Sequence, residues 1–211
     1  MDSFLDTCVI IHYSNYSKDS GNNSKDLTKK CFNFIQNKNG KFIICYVVLN
    51  ELSNYLKKIK RTHKEVLKKL KNRDYEFSNL DLQSKLIAKK LYTKFKDEKF
   101  EKAESYLKEQ REISELKIEY FLLKLLDEKV IPPEEINKKL VNKINEIISN
   151  YADCKILASA LQLQAEKETF LFVTADMNDL SPNSYEYLKE YLEINSKEKY
   201  KFPKLLNLAF E

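Results

Sequence analysis

The sequence predicts an α/β protein built on a mainly parallel sheet, with a helical subdomain inserted into it. Three observations carry that expectation. Two runs, FIICYVV at 42–48 and FLFV at 170–173, are continuously apolar and rich in β-branched or aromatic residues, the pattern of strands buried on both faces. Each adjoins a segment with helical periodicity, and such alternation threads a parallel sheet. Between them, residues 57–145 show no strand-like run; charged residues alternate there with Leu, Ile, Phe and Tyr at helical spacing.

In chain order, the first strand is expected at Ser3 to Asp6, extended by Val9 to Ile11 if no helix takes over. Residues 14–26, rich in Ser, Asn, Asp and Lys, read as a loop. Leu27, Cys31, Phe34 and Ile35 recur at helical spacing, and Asn39-Gly40 ends that helix at about residue 37. A strand over 42–48 runs directly into a helix, LNELSNYLKKIK. Three or four amphipathic helices fill 57–145, one of them starting at Pro132-Pro133 with Glu134 and Glu135 in its first turn. Residues 151–167 form a helix with Ile156, Ala160 and Leu163 on one face, and 169–180 form a strand ending in an acidic turn. The expected division is therefore one domain, with its core in about 1–56 and 146–211 and a helical insertion at 57–145.

Composition excludes several chemistries. Gly21 and Gly40 are the only glycines, so neither a phosphate loop of the Walker type nor a G-x-G-x-x-G turn can be built. His12 and His63 are the only histidines, which removes histidine metal clusters. Cys8, Cys31, Cys45 and Cys154 are scattered, as expected of small buried hydrophobes in a reducing compartment. The apolar runs fall far short of the roughly 20 residues of a membrane span. The first strand-like run leaves no room for a signal peptide, so a cytoplasmic location without membrane partners is expected. An enzyme with this composition works with carboxylates.

Four acids occupy comparable places. Asp6 ends the first strand, Glu51 follows the second, Asp153 opens the helix after the insertion, and Asp176 ends the last strand, with Asn178 and Asp179 close behind. Carboxyl ends of parallel strands form the crevice where ligands bind. Each acid has a plainer alternative: Asp6 and Asp153 as helix caps, Glu51 as a solvent-facing helix residue, Asp176 as a turn residue. Gathered together, however, the acids repel by about 4 kcal/mol per pair at ~4 Å. An oxygen-only set relieved of that repulsion by a hard cation suits Mg²⁺ or Mn²⁺ and phosphate-ester hydrolysis.

The spaced set FLDTCVI, VVLNEL, YADCKILASAL and FVTADMNDL resembles the PIN-domain nucleases, including the toxin ribonucleases of VapBC-type pairs. The first motif is matched by Asp6 and Thr7, the second by Glu51, the third by Asp153, and the fourth by Thr174, Asp176 and Asp179. The resemblance covers about half of the chain, 1–56 and 146–211. It implies a three-layer α/β/α fold and Mg²⁺- or Mn²⁺-dependent phosphodiester hydrolysis, usually of RNA, by a metal-activated water. Asp6, Glu51, Asp153 and Asp176 would hold the metal; Thr7, Thr174, Asn178 and Asp179 would support them. The chain departs from the family in its long insertion and in reading Asp-Cys where Asp-Ala is usual.

The formal net charge is +5, and residues 57–74 carry nine Lys or Arg against two acids. Lys57, Lys58, Lys60, Arg61 and Lys64 are thus substrate-binding candidates for RNA, single-stranded RNA included, against the alternative of a solvated helix face. Tyr75, Phe77, Tyr92, Phe95, Phe100 and Tyr106 either stack on bases or form the core of the insert, the latter being the favoured reading. An antitoxin and a second copy of the chain are further partners to consider. Two other functions stay open: a haloacid-dehalogenase-type phosphatase, which wants an Asp where Cys8 stands, and a PIN-like module that binds nucleic acid without cleaving it.

Overall fold

The computed structural model describes residues 1–16, 25–166, 170–196 and 199–211. Five strands, β1 (Ser3–Leu5), β2 (Phe42–Cys45), β3 (Glu128–Val130), β4 (Leu171–Thr174) and β5 (Lys204–Asn207), form one sheet in the order β3-β2-β1-β4-β5. Every pairing is parallel, with Phe4 beside Ile43 on one side and Phe172 on the other. Helices α1 (Thr7–Asn15) and α2 (Lys25–Gln36) pack together, as do α6 (Lys138–Asn145) and α7 (Tyr151–Glu166), and α8 (Pro182–Asn195) lies against α6 and β5. The three-layer α/β/α architecture expected from the sequence is thus the one observed.

The order of strands decides where a site can form. From the central β1 the chain moves outward to β2 and β3, then crosses back to build β4 and β5 on the other side. Strand order reverses at β1, and in open parallel sheets a crevice opens at the carboxyl ends of the strands there. Phe4, Leu5, Ile44, Phe172 and Val173 are fully buried, so the sheet has little freedom to shift beneath that crevice.

Several boundaries differ from the sequence expectation. β1 stops at Leu5 and the helix α1 takes over at Thr7. β2 ends at Cys45, and Tyr46-Val47-Val48 instead open α3 (Tyr46–Lys71). Val47 and Val48 are as buried as the strand before them, so an unbroken apolar run could not show the change of period. Pro132-Pro133 makes a turn, closed by the Glu135 amide on the Pro132 carbonyl at 3.0 Å, and does not start a helix. α6 begins five residues later, where the Asn137 side chain accepts from the Lys139 and Leu140 amides. Residues 17–24 of the expected loop, with Lys167 and Thr169, lie outside the described residues.

The segment read as wholly helical contains β3. Its three residues are only half-buried or exposed, and they show no apolar run. Asp127 fixes the pairing from outside the strand: it donates its amide to the Phe42 carbonyl at 3.0 Å and accepts the Phe42 amide on Oδ2 at 2.8 Å. α8 and β5 arise from 181–211, for which no elements were anticipated.

The chain forms two compact units, Met1–Glu51 with Lys117–Glu211, and Leu52–Leu116. β3 and α6 therefore belong with the sheet. The second unit contains most of α3, α4 (Leu82–Phe95) and most of α5 (Phe100–Tyr120). Its core is Val66, Phe77, Leu80, Ala88, Phe95, Ala103 and Leu107, with Tyr75, Tyr92 and Tyr106 packed against it. The aromatic residues of the insertion thus serve mainly as core.

Gly40 enters β2 at φ +92°, where an added Cβ would stand 2.4 Å from the Met1 carbonyl oxygen. Gly40→Ala should therefore destabilise the sheet-bearing unit by about 1–3 kcal/mol, measured by urea unfolding.

Candidate active site

Asp6 is the first residue past β1, and its amide donates to the Val173 carbonyl of β4 at 3.0 Å. It stands at the N-cap position of α1, yet its side chain makes no capping hydrogen bond. The carboxylate turns to β4 instead: Oδ2 accepts from Thr174 Oγ1 at 2.7 Å and from Cys8 Sγ at 2.9 Å. Only 2% of Asp6 is exposed. Burial pushes its pKa up; the Cys8, Thr174 and Thr7 hydrogen bonds oppose that, and the nearby Asp176 charge adds to it.

Glu51 sits in the second turn of α3, and its Oε2 accepts from Thr7 Oγ1 at 2.5 Å. Burial raises its pKa and the Asp6 charge adds to the effect. Asp153, in the first turn of α7, has its pKa raised to about 8, first by burial and then by Asp6, Glu51, Asp176 and Asp179. Its carboxylate accepts no hydrogen bond among the described residues. Unlike the other three acids it has no local structural duty, and the fields of four carboxylates meet there.

Asp176 accepts the amides of Asn178 and Leu180 on Oδ1, at 2.6 and 3.2 Å, which folds the acidic turn back on itself. Asn178 therefore acts through its backbone, and its side chain is exposed. Asp179 accepts from Ser149 Oγ at 3.1 Å and from the Asn150 amide at 3.3 Å, tying the turn to the start of α7. Asp6, Glu51, Asp176 and Asp179 thus each lie within electrostatic reach of Asp153, with Thr7 bonded to Glu51 and Thr174 to Asp6.

Two contributors escaped the sequence reading. Cys8 donates to Asp6 and accepts the Ala175 amide at 3.1 Å, which joins α1 to the end of β4. Asn207, at the end of β5, is buried and donates to the carbonyls of Asp176 and Leu180 at 2.6 and 2.8 Å. Its signal is a lone amide interrupting an apolar run, KLLNLAF. The basic candidates belong to the helical unit. Lys58 is paired with Asp81 at 3.3 Å, and Arg61 bonds the Asn79 carbonyl; Lys57, Lys60 and Lys64 are exposed.

Among the described residues, no three Asp, Glu, His or Cys side chains are gathered tightly enough to grip one ion between them. Asp6, Glu51 and Asp176 are each drawn toward protein donors instead. In its chemistry the donor set still fits a hard divalent cation, since it is all oxygen and its members repel one another under desolvation. All four cysteines are free, and Cys31, Cys45 and Cys154 are buried.

Residues 4–181 match a family model described as a PIN domain. Searches of curated proteins and of solved structures each return no match.

Because the Asp153 pKa is raised from 3.8 to about 8, the metal-free fold favours its protonated form. That stabilisation is complete below about pH 4 and is lost as pH rises through about 8. In EDTA, Asp153→Asn should match the wild-type Tm in acid and exceed it increasingly toward pH 8, followed by calorimetry.

Proposed function

The chain belongs to the PIN-domain family of metal-dependent nucleases, and from that premise we propose that it is an endoribonuclease whose Asp6, Glu51, Asp153 and Asp176 hold Mg²⁺ or Mn²⁺. The observation that carries this reading is the Asp153 carboxyl, unbonded where burial first and then four other acids raise its pKa to about 8. A structural acid in that place would have a donor; a ligand waits for a cation. When bound, the ion would supply charge neutralisation at the phosphate and a lowered pKa for water.

The residues of the chain supply orientation. Thr7 holds Glu51 by one carboxylate oxygen, and Thr174 and Cys8 hold Asp6 by one of its own. Asp176 is fixed by its turn, with Asn207 bracing the turn's carbonyls from β5. Such supporting bonds set the direction of a ligand and its basicity. Asp153, its pKa raised to about 8 and its charge held by no donor, is a group suited to take up a proton when no cation is present. Lys57, Lys60 and Lys64 are the cations left to meet RNA phosphates, Lys58 and Arg61 being engaged within the helical unit. An antitoxin and a second copy of the chain are the protein partners of this reading. Among the described residues no helix is long and apolar enough to cross a membrane, and a cytoplasmic site of action is part of the proposal. The family match favours a nuclease over a haloacid-dehalogenase-type phosphatase.

Single-stranded RNA and DNA incubated with Mg²⁺ or Mn²⁺ should show cleavage of RNA by the wild type and none by Asp6→Asn. Equal cleavage by the two proteins would refute the mechanism. Cleavage by neither, with binding retained, would leave a binding module. Removal of one supporting hydroxyl in Thr174→Val should lower the rate by about 10–100-fold and the stability by about 1–3 kcal/mol, read by urea unfolding.

A further inference from the structure

The helical unit contains a cleft of about 630 Å³ between α3 and α5, lined by Lys60, His63, Lys64, Lys108 and Arg111, with Glu101, Glu104, Ser105, Leu67 and Leu107 completing it. Two placements fix how the helices pass each other. His63 and Leu107 share one wall of the cleft, and Lys71 Nζ lies 4.6 Å from the Phe100 ring centroid. Later residues of α3 therefore meet earlier residues of α5, so the helices are antiparallel. In that register Lys60 and Lys64 face the stretch of α5 that holds Lys108 and Arg111. Glu101 and Glu104 fall toward the Leu67 end. The cleft is polarised, with four cations around His63 at one end.

These cations are free to take a ligand. Among the described residues Lys60 and Lys64 form no ion pair, and both are exposed. Lys108 and Arg111 reach Glu112 and Glu115 only at 3.9 and 3.7 Å on the same helix. Such exposed i,i+4 pairs are weak and give way readily. At the centre, His63 Nδ1 is buried without a hydrogen-bond partner, and a buried polar atom of that kind marks a missing partner. Lys60 and Lys64 are one turn apart, about 6 Å along the helix axis, a spacing suited to successive phosphates of one strand.

We propose that this cleft is a phosphodiester-binding groove, in which Lys60, Lys64, Lys108 and Arg111 hold the backbone of a nucleic-acid strand. The proposal deepens the nuclease reading and rests on it, since the family's action on nucleic acids favours a phosphodiester over an acidic peptide. It gives α5, whose sequence is mixed in sign, a share in substrate binding that charge density alone does not show.

The test is fluorescence anisotropy of the full chain with labelled 20-nucleotide single-stranded RNA and DNA, in EDTA and over a range of salt. The variant K60Q/K64Q/K108Q/R111Q should bind both strands at least about tenfold more weakly. Its salt slope should fall by about 3, from four lost phosphate contacts at about 0.7 each. Neutralising four lysines outside the cleft, Lys85, Lys89, Lys90 and Lys96, should leave affinity near that of the wild type. Unchanged binding by the cleft variant would overturn the proposal, as would equal losses in the two variants. Tighter binding of a polyglutamate peptide than of either nucleic acid would assign the cleft to an acidic protein instead. Failure of the nuclease reading looks different: hydrolysis of bis(p-nitrophenyl) phosphate would then not depend on Asp6, while cleft-dependent binding in EDTA remained.

Discussion

The Thr174 hydroxyl donates to Asp6 while accepting the Asp176 amide at 3.1 Å, and this pair of bonds fixes the ends of the two central strands against each other. The rest of the acidic site depends on it. A parallel pairing brings Leu5 beside Val173, but pairing alone leaves the residues beyond the strands free to diverge. Thr174 and Cys8 carry the alignment one step further, into the loops, where Asp6 would otherwise turn back to cap α1. That competition is local: a carboxylate at an N-cap position has helix amides close by. Here the Thr174 hydroxyl of β4 and the Cys8 thiol from within α1 win it.

Once aligned, the acids face a second constraint. Desolvation raises the pKa of Asp6, Glu51 and Asp153, and each negative charge makes the next harder to bear. The protein relieves the three unequally. Asp6 and Glu51 receive hydrogen bonds from fixed hydroxyls, whereas Asp153 receives none and its pKa is raised to about 8. Electrostatic cost is thus concentrated on one residue at the start of α7. A proton relieves it there, which is why the Asp153 pKa is raised to about 8.

Much of this arrangement was legible in the sequence because the fold and the site share one pattern. Buried parallel strands write themselves as unbroken apolar runs, and an acid closing such a run stands out, as Asp6 and Asp176 do; Asp153 stands out instead as an acid opening an apolar helix. What stayed hidden lacked that contrast. β3 is a half-exposed edge strand of three residues held by Asp127, and nothing in EKV distinguishes it from helix surface. The end of β2 vanished because Val47 and Val48 are equally buried in a helix. Asn137 displaced Pro132-Pro133 as a helix start because a side chain placed to cap two amides outweighs a preset φ. Cys8 joins Asp6 to the distant Ala175, and Asn207 acts through Asp176 and Leu180; such distant partners leave no mark on a residue's own surroundings.

The bracing of the acidic turn by Asn207 also bears on when the protein can become active. Asp6 and Thr174 are 168 residues apart in sequence, and the turn gains its last support from a strand that follows later still. Contacts of such separation form late and slowly. During synthesis the acids emerge one by one, and the ribosome must pass Asn207 before the turn that presents Asp176 is held from both sides. The acidic turn is thus completed only after the strand that carries Asn207 has been made, well after Asp6 and Glu51 have emerged.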